Sequence, residues 1–325
     1  MIERRSLIAS AGAALFPQLA NAQGPRVRLG YLSGGRQDEN KANTLGTLLP
    51  SLASLGWSAG DNLTVDERWT NGDASLFPQM ANELVALRPN ILVATGATET
   101  KSLMAATQAI PIVFCQVSAD PVAIGIVNAI TRPGKNVTGF MQAPQILWGK
   151  RIEYLTAFMG ATPRQLAWIG NPSNYASDLS WADAQKAATA FSSTVVRVPI
   201  GSVDDIENAI ASARNCDALL VQFDYLLAVH RHRVAEAVAK LGIPAIYENR
   251  SQVAAGGLMS YGGDLRDNYR EAAKYIDRIL KGSSPADLPV VQASRFEFVI
   301  NVKAAQRLGR NVPPALLARA DETIE

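Results

Sequence analysis

The sequence predicts an α/β protein of two similar lobes, each built on a parallel sheet, joined by a hinge that the chain crosses more than once. Three observations carry this. Short apolar runs alternate with segments of helical period, the mark of βα units on parallel sheets. The pattern restarts halfway along the chain. At 325 residues the chain exceeds what a single core usually holds.

The elements follow in order. Residues 27–32 form a first strand, and Leu45, Leu48, Leu49, Leu52 and Leu55 recur at helical spacing up to Gly56. Pro50 falls inside that helix and is expected to kink or split it. Residues 63–69 alternate as a strand, Leu76, Met80, Leu84 and Leu87 mark a helix, and 91–94 is a buried strand. A helix through Leu103 and Ala106 leads to a strand at 110–117. The second half repeats this. Ile152, Leu155 and Met159 lie on a helix, and strands follow at 166–169, 194–198, 218–223 and 243–247. Helices carrying Trp181, Ala184 and Ala188, then Val203, Ile206 and Ile210, then Val234 and Val238, separate them. Ile110-Pro111-Ile112-Val113 before Gly125-Ile126-Val127 matches Ile243-Pro244-Ala245-Ile246 before Gly257-Leu258-Met259, each after a βαβ set. Crossings are expected near 138–143 and 258–264, with a helix at 268–280 returning to the first lobe and a strand at 296–302 making a third crossing. The first lobe is therefore expected to hold 23–140 and about 264–284, and the second 141–263 and about 285–325.

The N-terminus reads as a cleaved leader over residues 1–22. Arg4 and Arg5 form a basic head, residues 7–16 an apolar run, and Ala20-Asn21-Ala22 a small-x-small cleavage site. The arginine pair followed by Ser6, Leu7 and Ile8 suits the twin-arginine route as well as the ordinary secretory one. Export to the periplasm is the expectation. No cysteine stands at the cleavage point to take a lipid, and no later apolar run is long enough to span a bilayer.

Composition excludes several classes. Hydrophobic residues make up 48% and charged residues 18%, as in a well-cored globular protein. Without Glu3, Arg4 and Arg5 the balance is 29 basic to 28 acidic residues, which gives no electrostatic reason to expect nucleic acid. Cys115 and Cys216 fall in different halves, where a bridge would lock the lobes, so two inert buried thiols are expected. Two cysteines and two histidines are too few for a structural zinc site, and His230 and His232, two apart on a helix, point to different faces. No dinucleotide fingerprint, phosphate loop or G-x-S-x-G elbow is present, and no cofactor is expected. Asn62 and Asn136 match a glycosylation pattern but read as loop-to-strand junctions.

Ligands of open α/β sheets bind outside the carboxyl ends of the strands. With two lobes those ends share one cleft, and here they are polar. Thr95-Gly96-Ala97-Thr98 opens a helix whose amides, dipole and hydroxyls suit a carboxylate, although Thr98 with Glu99 is equally an ordinary helix cap. Ser118 and Asp120 follow the fourth strand, Asp120 either accepting an ammonium or capping the turn after Pro121. Ser33 and Gly34 follow the first strand. Asn171, Ser173 and Asn174, then Asp224 and Tyr225, then Tyr247 and Glu248 follow strands of the second lobe. Gln142 and Tyr261 sit at crossings. Aromatic rings at these ends can stack on a flat ligand or simply pack.

The stretches Gly56-Trp57 through Glu67-Arg68-Trp69, Asp120-Pro121-Val122 and Ile243-Pro244-Ala245-Ile246-Tyr247-Glu248 resemble a known family. So do Ala255-Gly256-Gly257-Leu258-Met259-Ser260-Tyr261-Gly262, Pro285-Ala286-Asp287-Leu288-Pro289 and Ala318-Arg319-Ala320-Asp321-Glu322. The family is that of ABC-transporter substrate-binding proteins, in the branch that includes aromatic amino-acid binders. The resemblance runs the length of the mature chain. It implies a type I periplasmic-binding fold with two Rossmann-like lobes and three crossings. It also implies capture of a small molecule by lobe closure and delivery, as a monomer, to ABC permease subunits in the inner membrane, with no chemistry on the solute. The Thr95 and Asp120 loops match the family's ligand-facing loops in position. Two other readings stay open on residues alone: an exported α/β enzyme with Asp120 or Glu248 as base, and a periplasmic sensor subunit.

Overall fold

The computed structural model describes residues 26–142, 147–293 and 295–325. The leader and its cleavage site at Ala22 lie outside them.

The first half gives β1 (Val27–Ser33), α1 (Gln37–Asn40), α2 (Leu45–Ser54), β2 (Leu63–Trp69), α3 (Phe77–Ala86), β3 (Ile91–Ala94), α4 (Ala97–Ala106), β4 (Ile112–Val117) and β5 (Val137–Met141). The second gives α5 (Leu147–Met159), β6 (Gln165–Gly170), α6 (Ser177–Ala190), β7 (Thr194–Pro199), α7 (Ile206–Ser212), β8 (Ala218–Val221), α8 (Tyr225–Val229), α9 (Arg231–Leu241), β9 (Ala245–Tyr247), α10 (Arg250–Ala254) and β10 (Met259–Gly263). The last stretch gives α11 (Leu265–Leu280), β11 (Val291–Gln292), β12 (Phe296–Asn301), α12 (Val302–Arg307), α13 (Pro314–Leu317) and β13 (Glu322–Ile324).

Two sheets result, in the orders β11-β5-β4-β3-β1-β2 and β13-β12-β10-β9-β8-β6-β7. Strand pairs are parallel except β10 with β12. The shared order (β2, β1, β3, β4, β5 against β7, β6, β8, β9, β10) is the internal repeat in three dimensions. Strands β3 and β8 are apolar throughout because helices cover both faces of their sheets. In β3, Ile91 and Val93 enter one core cluster while Leu92 and Ala94 enter the opposite one. In β8, Ala218 and Leu220 separate in the same way from Leu219 and Val221. Gly139 sits at φ 155, and a Cβ there would meet the Phe114 carbonyl oxygen at 2.1 Å, where the β4–β5 register shifts.

Two expectations need adjustment. Helix α2 runs unbroken from Leu45 to Ser54 with Pro50 inside it. Pro50 is exposed, so the carbonyl it leaves without an amide partner lies on the wet side of the helix. The stretch 285–292, expected with the second sheet, joins the first: Val291–Gln292 pairs with β5, the Val290 amide donates to Ile130 O, and the Thr138 hydroxyl donates to Leu288 O. Strand β12, from Phe296, belongs to the second sheet.

Helix α11 returns to the first sheet. Asp264 caps it by accepting from the Arg266 and Asp267 amides, and Tyr269, Ala272, Ala273 and Ile276 are fully buried in that core. Cys115 and Cys216 are free and buried, one in each half. Asn62 and Asn136 immediately precede β2 and β5; the Asn62 side chain bonds the backbone of the turn before it, and Asn136 Nδ2 donates to Ile110 O, 26 positions away.

Candidate functional site

The carboxyl ends of both sheets face each other across a cavity of about 30 Å³. The first rim is organised by a buried carboxylate. Strand β3 ends at Ala94 and α4 starts at Ala97, with Gly96 as its cap in extended conformation rather than Thr98. Glu99 lies in the first turn of α4, only 1% exposed. Its Oε1 accepts from the Gly34 amide at 3.0 Å and from the Thr95 hydroxyl at 2.6 Å. One carboxylate at a helix N-terminus thus ties the loop after β1 to the loop after β3. Burial pushes the Glu99 carboxyl up to about 7, against the pull of those donors. Ser33 is buried and its hydroxyl accepts from the Gly35 amide.

At the end of β4, Gln116 sends Nε2 to the Tyr225 hydroxyl at 2.8 Å, and its Oε1 is buried without a partner among the described residues. Ser118 follows at the cavity wall. Asp120 does not line this cavity. Its Oδ1 accepts from the Val122 and Ala123 amides at 2.8 and 3.4 Å, so it serves the turn after Pro121.

The second rim comes from the loops after β6 and β8. Asp224 caps α8 by accepting from the Leu226 amide. Asn171 Nδ2 reaches Asp224 Oδ1 at 3.0 Å, and Asn174 Nδ2 reaches Oδ2 at 2.9 Å. Burial raises the Asp224 carboxyl, and the two amides oppose that rise. Phe223 and Tyr225 flank it, edge to face with ring centres 5.3 Å apart.

Of the residues singled out from sequence, Gly96, Ala97, Thr98, Ser118, Asn171, Ser173, Asn174, Asp224 and Tyr225 line the cavity. Thr95 and Gly34 stand directly behind its wall through Glu99. The others sit elsewhere. Tyr247 shares a sheet face with Val221 and Ala245 and borders a separate cavity of about 20 Å³ with Val238, Leu258 and Arg307. Glu248 is buried against Arg151, Nη1 to Oε1 at 3.2 Å, while its Oε2 accepts from the Phe223 amide. Both oxygens are engaged, so Glu248 is no free base. Arg151 also donates to the Tyr261 carbonyl at 2.9 Å and stacks over Trp148. The Tyr261 ring packs on Tyr154 and Phe296. Gln142 is buried at the first crossing, its amide on Val117 O.

Sequence reasoning passed over Gln116, Phe223, Phe77 and Thr70, which also line the cavity. Gln116 had a signal: it is the one polar side chain in the strand IVFCQV, and a buried polar group needs a partner. No lysine, arginine or histidine is among the lining residues, whereas Glu99 and Asp224 are. The pocket is therefore rich in acceptors. The N-terminus of α4, with Thr98 and Ser118 beside it, is its main source of donors.

Two α/β lobes with a polar cleft at their facing strand ends define a class of protein, the two-lobed receptor for a small solute. The chain belongs to the ABC transporter substrate-binding protein family, whose model matches residues 38–324. It is 26% identical over 254 residues to a tyrosine-binding protein of Clostridioides difficile, covering 78% of this chain and 72% of that one. The structure of an ABC domain in complex with L-Trp from Streptococcus pneumonia superposes with TM-score 0.85 at 25% identity, over 92% of this chain and 100% of that one. A conserved domain protein from Vibrio cholerae gives TM-score 0.85 at 26% identity, over 92% and 99%. The fold is that of type I periplasmic binding proteins. Members of the family are non-enzymatic components of transport systems that bind small molecules and work with ABC permeases.

Proposed function

We propose that this chain is the periplasmic receptor of an ABC-type importer and captures an amino acid, or a related aromatic or carboxylate compound, between its lobes. The observation that carries the reading is the cavity between the two sets of strand ends. The N-terminus of α4 with Thr98 and Ser118 suits a carboxylate, and Asp224 with the unpartnered Gln116 Oε1 suits an ammonium. The tyrosine-binding relative and the L-Trp complex support the amino-acid class. Export with cleavage near Ala22, by either route, follows from the leader pattern. The lobes then comprise residues up to about 142 with 264–292, and the remainder.

The test is a thermal-shift panel of amino acids, aromatic acids, purines and small carboxylates on the purified protein. A ligand at a hundredfold its dissociation constant adds about 2.7 kcal/mol, which raises the midpoint of a chain this size by about 2–4 °C per kcal/mol at most. A shift confined to amino acids or carboxylates is expected. A shift with purines alone, or turnover of the bound compound, overturns the reading.

A further inference from the structure

We propose that Tyr225 supplies the aromatic ring of this binding site from the chain itself, so that the cleft selects compact, ring-free amino acids and excludes those that carry a ring. This rests on the amino-acid reading above and narrows it.

The ring of Tyr225 reaches from the second rim into the first. A Cβ placed on Gly34 would stand 2.4 Å from Tyr225 Cδ2 and 2.5 Å from Cγ, so only glycine at position 34 lets the ring lie where it does. Further along the same edge the ring passes Gly96, whose Cβ would lie 3.6 Å from Cε2. Two loops, one after β1 and one after β3, thus present bare backbone to a single ring. The phenol is bonded as a ligand would be: Gln116 Nε2 donates to it at 2.8 Å, and the Thr95 hydroxyl lies within hydrogen-bonding reach. Phe223 holds the ring from behind, edge to face.

With that slot taken, about 30 Å³ remains. A dry cavity that admits benzene measures about 150 Å³, so a second ring does not fit this cavity while Tyr225 stays, and the wider adjoining space of about 400 Å³ is bordered by Asn71, Asp73, Ser75 and Ser202, polar side chains rather than an apolar slot for a ring. The space left suits a group of ammonium or methyl size. Its chemistry selects the ammonium, because Gln116 Oε1 is a buried acceptor without a partner and the Asp224 carboxylate borders the same space. The rest of such a ligand lies toward the mouth of the cleft, along Thr98 and Ser118.

The experiment is calorimetric titration of the purified protein and its Tyr225→Ala variant with L-alanine, L-serine, L-tyrosine and L-tryptophan. The wild type is expected to bind alanine or serine and to give no heat with tryptophan. Tyr225→Ala is expected to gain L-tryptophan binding by on the order of tenfold or more. If Tyr225→Ala fails to fold by circular dichroism, Gly34→Ala expels the ring from the opposite side and must produce the same gain. Wild-type binding of tryptophan or tyrosine overturns the proposal while leaving the amino-acid reading standing. So does a folded variant that keeps alanine but gains no tryptophan. Absence of binding for all four acids in both proteins removes the amino-acid reading, and this one with it.

Discussion

The two rims of the cleft are matching βα junctions of a repeated unit, yet they handle buried charge differently. The first rim buries Glu99 with no cation paired to it among the described residues and satisfies it through a hydroxyl and a backbone amide. The second rim buries Asp224 on two asparagine amides, and just behind it sets Glu248 against Arg151. In the first the carboxylate faces inward and fastens its own loops. In the second the cap leaves the next residue, Tyr225, free to reach across. One supersecondary unit thus gives either a self-contained wall or a projecting one, depending on where its acid sits relative to the helix start.

Breaking the ion pair tests the contrast most severely. Arg151 and Glu248 are 2% and 7% exposed at the side chain. Arg151→Met is expected to cost about 3–5 kcal/mol in urea unfolding, since it strands a buried carboxylate. A loss under about 1 kcal/mol would mean that the second rim bears lone acids as easily as the first. The next effect is one of pH. The Glu99 carboxyl is raised from 4.5 to about 7, so the folded state keeps its proton across that window while the unfolded chain releases it. This contribution is fully present below pH 4.5 and fades as pH climbs through 7, by on the order of 3 kcal/mol. Glu99→Gln should flatten that part of the stability–pH profile relative to wild type, and identical profiles would refute the assignment. The smallest effect concerns Asp120. Because its oxygen serves local amides, Asp120→Asn should preserve the turn and leave amino-acid affinity within about twofold, as asparagine caps equally well. A large selective loss for amino acids over plain carboxylates, read by calorimetry, would bring Asp120 back to the ligand.

Much of this was legible beforehand, for identifiable reasons. The alternation of apolar runs and helical periods fixed both sheets, because central strands of a parallel sheet must be apolar on both faces. Strand ends led to Thr98, Ser118, Asn171 and Asp224, which line one cavity. What failed was side-chain direction. Tyr247 and Glu248 follow β9 as Asp224 follows β8, but pairing of Val221 with Tyr247 puts the tyrosine in the buried core it shares with Val221 and Ala245. Glu248 was met by Arg151, a residue 97 positions away that no local pattern connects to it. Tyr225 was visible as a strand-end aromatic, yet its entry into the opposite rim depends on Gly34, which the sequence offers as a strand-end candidate with no sign of the ring it must clear. The 285–292 segment was misplaced because two residues of pairing with β5 are too short to show an alternation.

The three crossings lie side by side. The Asp264 amide donates to Arg295 O, the Ala293 amide to Met141 O, and a Cβ on Gly263 would come within 3.3 Å of Ala293 and 3.9 Å of Gln142. Passages bundled this closely act as one axle. They permit swing about a single line and resist sliding or screwing of one half past the other, since either would have to stretch at least one of them. They also give redundancy: a protease that nicks any one crossing leaves two covalent links, and the halves would still diffuse as one particle.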